Sequence, residues 1–212
     1  IDEAKCDAIN GGRSYFRHIE ASLVAEQIKA GRLFGTSDFA RVRDLEAIII
    51  CVPTPLTRGR DPDLTYIERT ARAIGPRLRA GQLVVLESTS YPGTTTEFLR
   101  PILEQESKLC AGRDFFLAFS PERENPGSGV ATHTIPKIVG GLTEACLRMA
   151  VSLYSKAFDR VVAVSSAEVA EMTKLLENIF RAVNIALVNE LKMLCDRMGL
   201  DIWEIIAAAS TK

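Results

Sequence analysis

Apolar residues fall along this chain in two rhythms, and up to about residue 164 the two alternate. Asp2 is placed to cap a short helix that runs to Asn10 and stops at Gly11-Gly12. From His18 to Ala30 the apolar residues Ile19, Leu23, Val24 and Ile28 sit near helical spacing, and Gly31 closes the run. Leu45 to Val52 is different: a short, β-branched, almost continuously apolar run ended by Pro53 and Pro55. Such a run suits a strand covered on both faces, as in a parallel sheet. Helical spacing returns over Asp63–Leu78, Thr94–Leu103 and Glu144–Lys156, and buried-strand runs over Gln82–Leu86, Phe115–Phe119 and Val161–Val164. Alternation of strand and helix predicts an α/β fold with a doubly wound parallel sheet. The loops after Cys51, Leu86 and Phe119 then line one sheet edge, the carboxyl edge where open α/β sheets bind ligands.

Beyond residue 164 the pattern changes. Ala167 to about Arg197 reads as one helix without Gly or Pro, a rod of about 45 Å at 1.5 Å per residue. Gly199 ends it and Asp201–Ala209 begins another helix. The expected organisation is an α/β part over 1–164 and a helical part over 165–212.

Charge and composition narrow the function more than they alter the fold. With 26 basic and 27 acidic residues the net charge is -1, so no general attraction to nucleic acid or an anionic membrane is implied. The longest apolar stretches are too short to span a bilayer. The five cysteines are scattered without a C-x-x-C pair, which suggests neither a disulfide framework nor a zinc site and favours a reducing, cytoplasmic setting. Cys51 inside a strand and Cys195 inside a helix read as packing residues. There is no G-x-G-x-x-G, H-E-x-x-H or G-x-S-x-G, and no metal site is expected.

Four features could carry chemistry. Thr54 lies between two prolines at a strand's end, as either a rigid turn or a hydroxyl offered to a cofactor. Glu87–Thr96 supplies several hydroxyls and a helix N-terminus, either an ordinary cap or a site for anions and dipolar oxygens. Ser120-Pro-Glu-Arg-Glu-Asn-Pro-Gly127 sets two carboxylates and a guanidinium directly after a buried strand, as a solvated turn or a charged site. Lys174, Asn178 and Arg181 share one face of the long helix, facing either water or a cleft.

Together these stretches resemble the nucleotide-sugar 6-dehydrogenases, in particular the branch acting on UDP-N-acetylhexosamines. The resemblance rests on Asn10-Gly-Gly-Arg-Ser-Tyr, Thr54-Pro-Leu-Thr, Glu87-Ser-Thr-Ser-Tyr-Pro-Gly-Thr-Thr, Phe119-Ser-Pro-Glu-Arg, and Glu171-Met-Thr-Lys-Leu-Leu-Glu-Asn-Ile-Phe-Arg with Asn189-Glu-Leu after it, in family order. It implies a truncated Rossmann-like NAD-binding domain, followed by the long helix on which the family dimerises. It also implies a chain that begins after the second strand and ends before the loop bearing the family's nucleophilic cysteine, so that this stretch alone is inactive.

By the same resemblance Lys5, Thr54 and Thr89 contact NAD, while Arg123, Glu124, Asn178 and Arg181 bind the UDP-sugar. Lys174 also meets the substrate and assists proton transfer with Thr89 and Asn178, making these three the catalytic candidates. The reaction would take the C6 hydroxyl to a carboxylate with two molecules of NAD. UDP-glucose oxidising members carry a second carboxylate where Pro126 stands here, so no catalytic glutamate is assigned in that loop and the N-acetylhexosamine branch is favoured. A β-hydroxyacid dehydrogenase, which also sets a catalytic lysine and asparagine on a long helix, is the alternative enzyme. A non-catalytic dimerising or ligand-binding remnant is the alternative outside catalysis.

Overall fold

A computed structural model describes residues 2–16, 19–124 and 129–212. It divides into two compact units, one through Glu171 and one from Met172. The first unit is built on a five-stranded sheet in the order β1 (Ala47–Ile50), β2 (Leu83–Leu86), β3 (Phe116–Phe119), β4 (Lys137–Gly141), β5 (Val161–Val164). β1, β2 and β3 run parallel, so the loops that follow them do share one edge.

Side chains alternate across the sheet and feed two cores. Ile48, Ile50, Val84, Leu86, Leu117 and Phe119 pack on one face with α3 (Thr65–Ile74) and α4 (Arg100–Ser107). Leu83, Val85, Ala118 and Val139 pack on the other with α5 (Glu144–Tyr154). Burial of β2 on both faces explains why its sequence is continuously apolar rather than alternating. β1 is an edge strand here, and Ile49 is 44% exposed. Gln82, wholly buried, ties the sheet's lower rim by donating to the Val42 and Leu45 carbonyls and accepting from the Arg79 amide.

Most predicted elements appear, with shifted ends. α1 (Glu3–Asn10) is capped by Asp2, whose carboxylate accepts from the Lys5 amide at 3.4 Å. α2 spans Ala21–Lys29, and the expected start at His18 lies outside the described residues. α3 stops at Ile74 because Pro76 has no amide to continue it, and a short 3-10 turn follows. The helix expected from Thr94 opens with a π turn, Thr94–Leu99, before α4 proper.

One element was not expected. β4 includes Gly140-Gly141, a pair that reads as a break, and it runs antiparallel to β3 within an otherwise parallel sheet. Close packing requires both glycines. A Cβ at Gly140 would lie 2.0 Å from the Ser166 carbonyl oxygen, and one at Gly141 2.3 Å from the Leu147 amide. Because β4 runs antiparallel to β3, it starts at the carboxyl edge, which places Pro136 and Lys137 there. α6 (Ala167–Met198) is unbroken over 32 residues, and α7 (Ile202–Ala209) is capped by Asp201. In the second unit Phe180 and Trp203 are 69% and 70% exposed.

Candidate functional site

The carboxyl edge of β1, β2 and β3 is stitched together by short bonds. Glu87 donates its amide to the Ile50 carbonyl at 2.9 Å, and the Ser88 hydroxyl accepts from the Val52 amide at 2.8 Å. These bonds fix the first loop, with half-buried Thr54, beside the second loop, with exposed Thr89. The first loop closes on itself through Asp63, whose amide donates to the Pro55 carbonyl.

The third loop is bound to the start of β4. Buried Ser120 donates to the Ile138 carbonyl at 2.7 Å, and the Arg123 guanidinium donates to the Pro136 carbonyl at 2.8 Å. One oxygen of Glu122 accepts from both the Arg123 and Glu124 amides at 2.7 Å. Asn125, Pro126 and Gly127 of this loop lie outside the described residues.

A cluster that periodicity could not reveal joins the second and third loops. Lys137, 3% exposed, places its ammonium 3.0 Å from Glu87 and 3.3 Å from Glu122. The Tyr154 hydroxyl donates to the same Glu87 carboxylate, and the rings of Tyr154 and Phe158 flank the ammonium at 5.2 and 5.4 Å. Burial works to raise the Glu122 pKa, but the Glu124 amide, Lys137 and the Arg123 amide together hold it below the ordinary carboxylate value. Burial, with Glu87 beside it, keeps the Tyr154 phenol protonated.

Cys51 departs from the packing role expected of it. It follows β1 and is exposed as a residue, while its sulfur turns toward Glu87 at 3.6 Å. Burial of the sulfur and the Glu87 carboxylate push the thiol up to about 12, far from the range of a reactive thiolate. Cys195 is buried, as expected.

The helix N-terminus of the second loop is already occupied. Glu171, fully buried, accepts from the Gly93 amide at 2.8 Å, the Thr95 amide at 2.9 Å and the Thr95 hydroxyl at 2.7 Å. An internal carboxylate thus takes the place that an ordinary cap or a bound anion was expected to fill. Burial raises the Glu171 pKa against the opposing pull of these donors.

Lys5 stands in the first turn of α1, 3.7 Å from Asp2 and over the Tyr15 ring, beside an open groove of about 570 Å³ that Phe34 and Gly35 also line. On α6, Lys174 and Asn178 are half-buried, and Asn178 accepts from the Arg181 guanidinium at 2.6 Å. The expected placement of these three residues on one helix face therefore stands within the second unit. The first unit carries an ammonium on α1 and the hydroxyls of Thr54 and Thr89 in the loops after β1 and β2. Among the described residues no helix is long and apolar enough to cross a membrane.

Comparison with known proteins gives these features a context. Residues 1–158 match the model for the NAD binding domain of the UDP-glucose/GDP-mannose dehydrogenase family, and residues 168–212 match its central domain. Protein CapL of Staphylococcus aureus is 41% identical over 84% of this chain and 42% of its own length. The NDP-N-acetyl-D-galactosaminuronic acid dehydrogenase of Ralstonia solanacearum is 39% identical over 99% of this chain and 51% of its own. The solved UDP-D-ManNAc dehydrogenase of Pyrococcus horikoshii superposes with a TM-score of 0.91 at 35% identity, covering 100% of this chain and 50% of that one. The chain spans about half the length of these relatives. It belongs to the UDP-glucose/GDP-mannose dehydrogenase family.

Proposed function

We infer that this chain is the NAD-binding and central portion of an enzyme that oxidises the C6 hydroxyl of a UDP-N-acetylhexosamine to a uronic acid. The observation that carries the reading is the two-part match, an NAD binding domain over 1–158 followed by the central domain over 168–212. It supports a division near residue 164 into an α/β cofactor domain and a helical domain. Family membership weighs against the β-hydroxyacid dehydrogenase alternative. Relatives named for N-acetylhexosaminuronic acid and N-acetylmannosamine chemistry favour the N-acetylated sugar.

In this reading Lys5, Thr54 and Thr89 hold NAD, which accepts a hydride from C6 when bound. Arg123, Glu124 and Arg181 bind the UDP-sugar. Lys174 stabilises the alkoxide that develops at C6 and exchanges a proton with it, an effect worth several kcal/mol in a dry site. Thr89 and Asn178 orient water or the oxyanion by hydrogen bonds. The exposed apolar residues of α6 and α7 suit a homodimer built on the long helix, which sedimentation at micromolar concentration tests. Free cysteines fit a cytoplasmic enzyme.

The test is Lys174→Ala in the full-length gene product. Turnover falls by about a hundredfold or more, with KM for the sugar nucleotide changed far less. Turnover within about threefold of the parent removes Lys174 from the reaction.

A further inference from the structure

We propose that Lys137 is a positioning residue for this site: by bridging Glu87 to Glu122 it locks the loop bearing Thr89 to the loop bearing Arg123 and Glu124. The proposal rests on the dehydrogenase reading above and adds a residue to it.

Three elements converge on one ammonium. Glu87 leaves the end of β2, Glu122 lies on the loop after β3, and Lys137 opens β4. The antiparallel turn of β4 is what brings a lysine to the carboxyl edge at all. Lys137 is 3% exposed, and its side chain is enclosed by the rings of Tyr154 and Phe158. A buried cation in that setting has little freedom to exchange partners with water. Loop three is held by β4 at three points: Ser120 to the Ile138 carbonyl, Arg123 to the Pro136 carbonyl, and Glu122 to Lys137. Of these, Lys137 also reaches the second loop, through Glu87. The Tyr154 hydroxyl donates to the same Glu87 oxygen that Lys137 meets, and the Cys51 thiol donates to the other, so Lys137 grips a partner that is itself fixed.

Glu87 stands two residues before Thr89, and Glu122 directly precedes Arg123 and Glu124. Displacing either carboxylate therefore displaces the proposed cofactor and substrate contacts together. Geometry of this kind matters to rate, since a misplacement of about 1 Å can cost about a hundredfold.

The experiment uses the full-length enzyme in three forms: Glu122→Gln, the pair Lys137→Met with Glu87→Gln, and all three changes combined. Changing Lys137 and Glu87 together avoids leaving one buried charge without its partner. Lys137→Gln with Glu87→Gln stands in if methionine at 137 prevents folding, judged by circular dichroism and melting. Glu122→Gln and the pair are each expected to lower kcat/KM for the sugar nucleotide by about tenfold or more. Because Lys137 acts through Glu122, adding the pair to Glu122→Gln costs less than about twofold further. A purely structural role gives losses that multiply, and that result overturns the proposal. So does either Glu122→Gln or the pair retaining kcat/KM within about twofold of the parent. A parent enzyme that oxidises no UDP-sugar is a different outcome: it removes the dehydrogenase reading, and Lys137 then has no site to position.

Discussion

Replacing Glu171 by alanine removes a carboxylate that is fully buried and accepts from two backbone amides and from the hydroxyls of Thr95 and, at 3.5 Å, Ser90. The amides of Gly93 and Thr95 are then left buried without their acceptor. Each stranded donor costs about 1–3 kcal/mol, or about 2–6 for the two. Relief of the cost of burying a carboxylate offsets part of this, leaving a net loss of about 2–4 kcal/mol. Folded domains hold about 5–15 kcal/mol, so the loss is large, and in a chain of this size it lowers the melting temperature by about 5–15 °C. Urea denaturation followed by helical circular dichroism, with thermal melting beside it, measures both. Glu168→Ala is the comparison: it loses hydroxyl contacts, to Thr96 at 2.6 Å and to Ser166, from a partly exposed position and strands no buried backbone amide. It is expected to cost about 1 kcal/mol or less. A Glu171→Ala variant within about 0.5 kcal/mol of the parent refutes the claim that this carboxylate replaces a helix cap.

Two further predictions concern single side chains. With its thiol raised to about 12, Cys51 alkylates with iodoacetamide at neutral pH more slowly than Cys6 or Cys110, despite its exposure; peptide mass spectrometry reads the order, and equal rates contradict it. Asp114 is lowered from 3.8 to about 2 by the Arg113 guanidinium and the Cys110 amide. A depressed carboxylate contributes stability that is present above its unfolded pKa and lost as pH falls through the folded one. Asp114→Asn therefore flattens the acid fall of the melting temperature between about pH 4 and pH 2, and an unchanged acid limb counts against the pairing.

The parts of the fold that were legible in the sequence are those that follow a period. The runs at Val84–Leu86 and Leu117–Phe119 are continuously apolar because they lie between two cores, Ile48–Ile50 carries the same pattern at the edge of the sheet, and the helical spacing of Ile67, Ala71 and Ile74 marks the buried face of α3. β4 was not legible. Glycine at 140 and 141 signals a break in a propensity argument, whereas here each glycine permits backbone contact at distances no side chain allows. The candidate site divides in the same way. Thr54, Thr89 and the Lys174–Arg181 face were visible as local motifs. Lys137 belongs to no period, and its partners Glu87 and Glu122 are far from it in the chain. A lysine heading a buried β-branched run was the one available signal, since an ammonium there needs carboxylate partners. Glu171 was hidden for a related reason: its donors at Gly93 and Thr95 belong to a turn more than seventy residues earlier, as the separations of 78 and 76 show.

The central claim, that these residues belong to a UDP-N-acetylhexosamine 6-dehydrogenase, is tested most directly by the stoichiometry of the full-length gene product. Purified enzyme is given NAD and a limiting amount of UDP-N-acetylglucosamine or UDP-N-acetylmannosamine, and NADH is followed by absorbance to completion. The account predicts two NADH formed for each sugar consumed with one of these epimers, and a uronic acid product. One NADH per sugar, or NADH formed only with a β-hydroxyacid, would contradict it.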